Sequence, residues 1–216
     1  MSARPTKTRF GSDISGRKKY GLSDNHAKGR PAKVALREEA LAAVGAGRAR
    51  VLDLFAGRGE MHASVWDRAA GYRGADKDLT KVLAHPGMVY HAPAADVLAA
   101  VDLSGFNLFD FDAYGSPWSE IGSLFRRRKM KPGEIVALVL TDGSPRRAML
   151  GHTAKALARL AGVDTTAAGA HTRWPELGRA ALERGAGMMG GRLTRLRHPG
   201  GPGGRGVWYA WALFEA

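Results

Sequence analysis

The sequence predicts an α/β protein built on a mostly parallel seven-stranded sheet with an antiparallel edge pair. Three observations predict it. Short apolar runs alternate with helical segments from Arg50 onward, and acids stand at the ends of four of them: Asp53, Asp76, Asp96 and the pair Asp110 and Asp112. The first run, Val51-Leu52-Asp53-Leu54-Phe55, breaks into Ala56-Gly57-Arg58-Gly59, which reads as a buried strand, a tight turn and a helix start. The last two runs, 191–197 and 207–214, are joined by a loop too rich in glycine to pack and read as the antiparallel closing pair.

The elements follow in order. Residues 1–33 lack periodicity and carry Gly, Ser and Pro punctuation; they are expected to form a basic flexible arm ahead of a domain over 34–216. A helix is predicted over 35–44, with Leu36, Leu41 and Val44 apolar and Gly45 as its stop. Strand 50–55, helix 60–69 and strand 72–75 come next, then a short helix or turn at 80–84 stopped by Pro86. Strand 88–91, short helix 97–101 and strand 107–111 follow. Ser116 is expected to cap a helix over 117–127, with Pro117 at its first position and Glu120 in its first turns. The apolar run 134–140 reads as a central buried strand, and helices are expected over 146–160 and 174–184. Trp208-Tyr209-Ala210-Trp211 is expected to be a strand that packs two faces.

Composition narrows the class. A chain of 216 residues with 44% hydrophobic content suffices for one well-cored domain. Cys is absent, so disulfides and thiolate metal sites are excluded. His62 and His152 lack a partner spacing for a metal, and no metal is expected. No apolar run reaches the roughly 20 residues of a membrane span, and the N-terminus has no apolar signal region, so a cytoplasmic protein is expected. The net charge of +13 favours polyanionic partners. Its cations cluster: Arg17, Lys18, Lys19, Lys28, Arg30 and Lys33 in the arm, Arg126-Arg127-Arg128-Lys129 with Lys131, and Arg184, Arg192, Arg195, Arg197 and Arg205. Phe10 and Tyr20 interleave with the first cluster and either stack on bases or pin the arm to the domain.

The acids give the chemistry. Four strand ends carrying carboxylates line one edge of a parallel sheet, where ligands of open α/β sheets sit. Asp76 stands about twenty residues past the glycines, the spacing at which a nucleotide-binding unit grips a ribose. This order resembles the class I S-adenosylmethionine-dependent methyltransferases over roughly Arg50 to Leu140. Asp53-Leu54-Phe55-Ala56-Gly57-Arg58-Gly59 is similar to their first motif, Asp76 to the acid that holds the ribose hydroxyls, and Asp96-Val97 to the acid that accepts from the adenine amine. The resemblance implies a Rossmann-like methyltransferase fold, S-adenosylmethionine as cofactor, and Asp53, Phe55, Gly57, Gly59, Asp76, Asp96 and Val97 as its binding residues. The fourth motif, Asp110-Phe111-Asp112-Ala113-Tyr114-Gly115-Ser116-Pro117, is most similar to D-x-D-P-F/Y-G-S-P of the tRNA guanine-N2 dimethyltransferases. It departs at Ala113, where that family has a loop-stiffening proline, and the chain lacks room for that family's large C-terminal domain.

Methyl transfer from a sulfonium asks the protein mainly for alignment and for management of one proton. A carboxylate that accepts an amine hydrogen takes up the positive charge that develops on a weakly nucleophilic base amine. Asp112 is the first choice for that role. Asp110 is the second, because strand alternation points both the same way. Tyr114 is expected to stack on the extruded base. The function expected is methylation of an exocyclic amine in a nucleic-acid base, with RNA (tRNA or rRNA) favoured over DNA. Arg17, Lys18, Lys19, Arg126, Arg127 and Arg128 are expected to contact the nucleic acid, and no membrane partner is expected. A small-molecule or protein methyltransferase, or a noncatalytic nucleic-acid-binding module of the same fold, are the alternatives.

Overall fold

The computed structural model describes residues 29–83, 87–145, 154–164, 173–199 and 207–216. Chain contacts divide the protein into units Met1–Pro31 and Ala32–Ala216. The first unit lies almost wholly outside the described residues, as do Arg17, Lys18, Lys19 and His152 and most of the expected glycine-rich loop.

The strands are β1 (Arg50–Asp53), β2 (Gly71–Asp76), β3 (Val89–His91), β4 (Leu108–Asp112), β5 (Ile135–Asp142), β6 (Arg192–Arg197) and β7 (Trp208–Glu215). They form a seven-stranded sheet in the order β3-β2-β1-β4-β5-β7-β6. All neighbours from β3 to β5 are parallel, and β7 runs antiparallel to both β5 and β6. The mostly parallel sheet with an antiparallel closing pair is the expected fold. The chain reverses direction across the sheet at the β1–β4 junction, so the carboxyl ends of these two strands flank the crevice where open α/β sheets bind ligands.

The helices are α1 (Arg30–Val44), α2 (Glu60–Ser64), α3 (Leu79–Val82), α4 (Ala94–Ala100), α5 (Trp118–Arg127), α6 (Lys155–Ala161) and α7 (Trp174–Met189). Strand alternation sends neighbouring side chains to opposite faces. Val51, Leu108, Val139 and Trp211 bury against Leu36, Ala40, Leu41 and Val44 of α1. Leu52, Phe109, Phe111, Leu138, Trp208 and Phe214 bury on the other face with α4, α5, α6 and α7. The Trp208–Trp211 run therefore packs two faces, as its alternation predicted.

Some boundaries move, each for a local reason. α1 starts at Arg30 rather than at 35, so Lys33 belongs to a helix and not to the arm. Its buried positions, Lys33, Leu36, Arg37, Ala40, Leu41 and Val44, form one continuous inner stripe. The expected helix 60–69 breaks at Val65, whose ψ of −51° comes with a φ of −139°, and resumes as a single tight turn at Trp66–Arg68. That break turns the Trp66 indole fully inward. Helix α4 begins at Ala94 behind Pro93, which places Asp96 in its first turn. Pro117 is the N-cap of α5 and no side chain caps that end, so Ser116 does not serve as the expected cap. α7 continues to Met189, five residues past its expected end at 184, and stops at Gly190 with φ +88°.

Candidate active site

The sheet brings the predicted acids to one edge. Asp53 lies opposite Asp110 in the β1–β4 register, and Asp76 lies opposite His91 in the β2–β3 register. Asp110 and Asp112 project on the same face, as alternation predicts, and α1 supplies a cation to each. The Arg37 guanidinium grips Asp110 with two bonds, Nε to Oδ2 at 2.7 Å and Nη2 to Oδ1 at 2.6 Å. Trp66 Nε1 donates to the same Oδ2 at 3.0 Å. Lys33 Nζ donates to Asp112 Oδ1 at 2.7 Å, and Arg37 Nη2 lies 3.7 Å from Asp112 Oδ2. Lys33 and Arg37 are each 1% exposed, Asp110 is 0% and Asp112 is 11%. Asp112 is therefore the one of the two carboxylates that reaches the surface of the edge.

These surroundings decide the protonation states. Burial alone would raise the Asp112 carboxyl, but Arg37 and Lys33 outweigh it and hold the group below the usual carboxylate range. Burial keeps Asp110 above that range despite the Arg37 clamp. Asp53 stands well above it, through burial and the adjacent Asp110. Burial and the neighbouring Asp53 push the Tyr72 phenol up. Burial would lower Arg37, yet the carboxylates of Asp110 and Asp112 hold it above its ordinary value.

The glycine turn builds the other half. Gly57 and Gly59 have φ of +56° and +75°, a region that a side chain strains to enter. The Gly57 N–H donates to Asp76 Oδ2 at 3.0 Å, and the Asp78 N–H donates to Asp76 Oδ1 at 2.8 Å. Each Asp76 oxygen keeps a further lone pair, with Lys81 Nζ 3.6 Å from Oδ2, and the side chain is 10% exposed. Phe55 is half-buried and Asp96 is exposed on the first turn of α4. Val97 points into the core at 3% exposure. Asp53 is also buried; its carboxylate accepts the Phe55 N–H at 3.1 Å and the Tyr72 hydroxyl at 3.2 Å, so it braces the turn from below.

On the far side of Asp112, Ala113 is buried and Tyr114 is 73% exposed. The Gly143 N–H donates to the Gly115 carbonyl at 2.9 Å and ties this loop to the one after β5. Asp142 anchors that second loop. It accepts Trp118 Nε1 at 2.6 Å, Trp174 Nε1 at 2.9 Å and the Ser144 N–H at 2.9 Å, with a further bond from the Ser144 hydroxyl. It joins the first residues of α5 and α7 to the end of β5.

The structure corrects one expected contact. Arg128 is 1% exposed; its guanidinium pairs with Glu134 and donates to the Phe106 carbonyl, so it is a structural group and not a surface cation. Arg126 and Arg127 are exposed. Sequence reading missed Lys33 and Arg37 as site residues, along with Trp66 and Tyr72. The phase of 33 and 37 with 36, 40, 41 and 44 on one helical stripe was the signal available for the first two.

No family model matches the sequence, and no curated protein matches it. Solved structures do resemble the fold. Trm1 from Pyrococcus horikoshii, in complex with S-adenosyl-L-methionine, superposes with a TM-score of 0.53 and 15% identity, over 86% of this chain and 55% of that one. The N-methyltransferase NodS from Bradyrhizobium japonicum WM9 superposes with a TM-score of 0.50 and 11% identity, over 89% and 98% of the two chains. The chain thus spans little more than half the length of the first. At these identities the likeness establishes the Rossmann-like methyltransferase fold that the motifs led us to expect.

Proposed function

We propose that the chain is an S-adenosylmethionine-dependent methyltransferase acting on an exocyclic amine of a nucleic-acid base, with RNA favoured over DNA. The observation that carries this reading is Asp112. It is a carboxylate kept ionised by Arg37 and Lys33, at the ligand edge of a methyltransferase fold and two residues before the exposed aromatic Tyr114.

The residues present fit the cofactor. Gly57 and Gly59 put no Cβ between backbone and ligand, and Asp76, oriented by two N–H groups, offers lone pairs to ribose hydroxyls. Asp96, exposed on the first turn of α4, serves as an acceptor for an adenine amine. Phe55 is half-buried at the same turn. Asp53 and Val97, both buried, act by supporting the turn and α4. The cofactor, when bound, supplies a methyl group activated on a sulfonium.

Asp112 accepts one hydrogen of the target amine and aligns its nitrogen lone pair in line with the methyl carbon. The positive charge that would develop on the amine nitrogen as it takes the methyl group is stabilised by the fixed negative charge of Asp112. A carboxylate with a depressed pKa holds the released proton weakly and passes it on to water. Tyr114 stacks on the base, and Asp110 positions Arg37 rather than touching substrate. The arm cations Arg17, Lys18 and Lys19, with Arg126 and Arg127, contribute backbone contacts.

Incubation with labelled S-adenosylmethionine and separate tRNA, rRNA and DNA pools, followed by nucleoside analysis, tests the proposal. An N-methylated base in an RNA pool is expected. A methyl group on a ring carbon or ribose oxygen would refute the amine chemistry, and label in none of the pools would return the small-molecule reading.

A further inference from the structure

Helix α5 starts at the candidate site and ends at the opposite edge of the sheet. Just past it, Arg128 bonds to Phe106, ahead of β4, and to Glu134, ahead of β5. Lys129 Nζ donates to the Met188 carbonyl at the end of α7 at 2.6 Å. β1 begins on this edge too, where the Asn107 side chain joins the Arg48 carbonyl and the Arg50 N–H. Five exposed cations, Arg48, Arg50, Arg127, Lys129 and Lys131, therefore share an edge that carries none of the motif acids.

The nearby acids are engaged by other partners, and of the five cations only Lys131 feels one of them, Asp102, at longer range. Glu134 is engaged by the inward-turned Arg128 and by the Lys131 N–H. Glu215 faces Arg192 at 3.3 Å, and Asp102 is folded onto Ser104. Among the described residues none of the five cations forms an ion pair with a carboxylate. Exposed cations without a close ion pair maintain a local positive field that draws polyanions.

We infer that this edge is a second nucleic-acid contact, which holds the sugar–phosphate backbone of a substrate whose reacting base lies at the opposite edge. The inference rests on the nucleic-acid reading above and deepens it. From β1 to β5 the edge covers two strand spacings, about 10 Å, and the rise along β4 separates it from Asp112 by roughly 13 Å through the sheet. The path around the outside of the molecule is longer. A mononucleotide cannot engage both edges, so the partner is a folded RNA or a strand of several nucleotides. A lipid surface fits less well, because Met188 is the one large exposed apolar side chain that the structure places beside these cations among the described residues.

The test uses the full chain and unfractionated tRNA. Bound tRNA is expected to protect Lys129 and Lys131 from acetylation, read by mass spectrometry on the wild-type protein, where folding is not at issue. The combined change Arg127→Glu, Lys129→Glu and Lys131→Glu should weaken tRNA binding tenfold or more, lower the salt slope by about 2–3, and leave S-adenosylmethionine affinity unchanged. Unprotected lysines with unchanged tRNA affinity overturn the inference and leave the proposed function standing. Protection by phosphatidylserine vesicles but not by tRNA overturns the choice of partner. A chain that binds no tRNA at low salt removes both this contact and the RNA part of the function, while cofactor binding stays separately measurable.

Discussion

Lys33 Nζ lies 2.7 Å from Asp112 Oδ1, although 79 residues separate them in the chain. One turn further along the same stripe of α1, Arg37 makes a two-pronged bond to Asp110. A helix that precedes the glycine turn thus supplies a buried cation to each of the two acids in the fourth motif.

Asp112→Ala is expected to lower single-turnover methylation roughly 100-fold or more while cofactor and RNA affinities stay nearly intact. Lys33→Met should shift the acidic limb of the rate profile upward, because a carboxylate that loses its cation protonates at higher pH. Lys33→Arg should restore much of it. A wild-type rate in the Asp112 variant removes that residue from the mechanism. An unmoved acidic limb in Lys33→Met separates the lysine from it. Ala113→Pro, assayed alongside, asks whether the stiffer loop of the resembled family matters here.

Asp76→Ala should weaken S-adenosylmethionine binding by about 1–3 kcal/mol, the cost of leaving hydroxyl partners unpaired. It also frees the Gly57 N–H that now donates to this carboxylate. Titration calorimetry measures both forms, and equal affinities would exclude Asp76 as a ribose ligand.

Removal of residues 1–28 is expected to lower RNA affinity and flatten its salt dependence while cofactor binding survives. Extending the deletion through Lys33 should add a catalytic defect, since it strips Asp112 of its closest cation. Two truncations with identical turnover would disconnect α1 from the chemistry.

Asp53 makes stability depend on pH. Its folded pKa is raised by burial and by Asp110. The folded state therefore binds this proton more tightly than the unfolded state does. The destabilisation is absent below the unfolded value of about 3.9, grows as pH rises through the folded value, and then levels off. Asp53→Asn lacks it, so urea unfolding should place the variant progressively better, relative to wild type, as pH rises from 4 towards neutrality. A difference that stays constant across that range argues that Asp53 is not the titrating group.

Two glycines of α7 should respond in opposite directions. A Cβ at Gly185 would overlap the Phe125 ring, and overpacking of this kind costs about 1–3 kcal/mol. At Gly187 nothing lies within 4 Å, and Gly187→Ala should stabilise by about 0.4–1 kcal/mol through helix propensity and a less mobile unfolded chain. Denaturant midpoints of the two alanine variants report the contrast, which fails if both shift the same way.

Local chemistry made much of this protein legible in sequence. Alternation, glycine punctuation and strand-end acids are properties of neighbouring residues, and they were enough to predict the sheet, its antiparallel closing pair, and Asp110 and Asp112 on one face. They also predicted the turn at Gly57 and Gly59. What they could not supply was partnership across the fold. Lys33 read as one more cation of a basic arm, and Arg128 as part of a surface cluster, because charge in a sequence carries no information on burial. Tertiary packing put Lys33 and Arg37 on the inner stripe of α1, where burial of a cation is sustained only by facing carboxylates, and it turned Arg128 inward onto Glu134. It also turned Asp53 away from the edge to brace the turn beneath it. The sequence by itself determined which strand ends carry acids. Only the three-dimensional packing decided which of them are paired with cations, which are buried, and which remain exposed, because pairing and burial depend on residues distant in the chain.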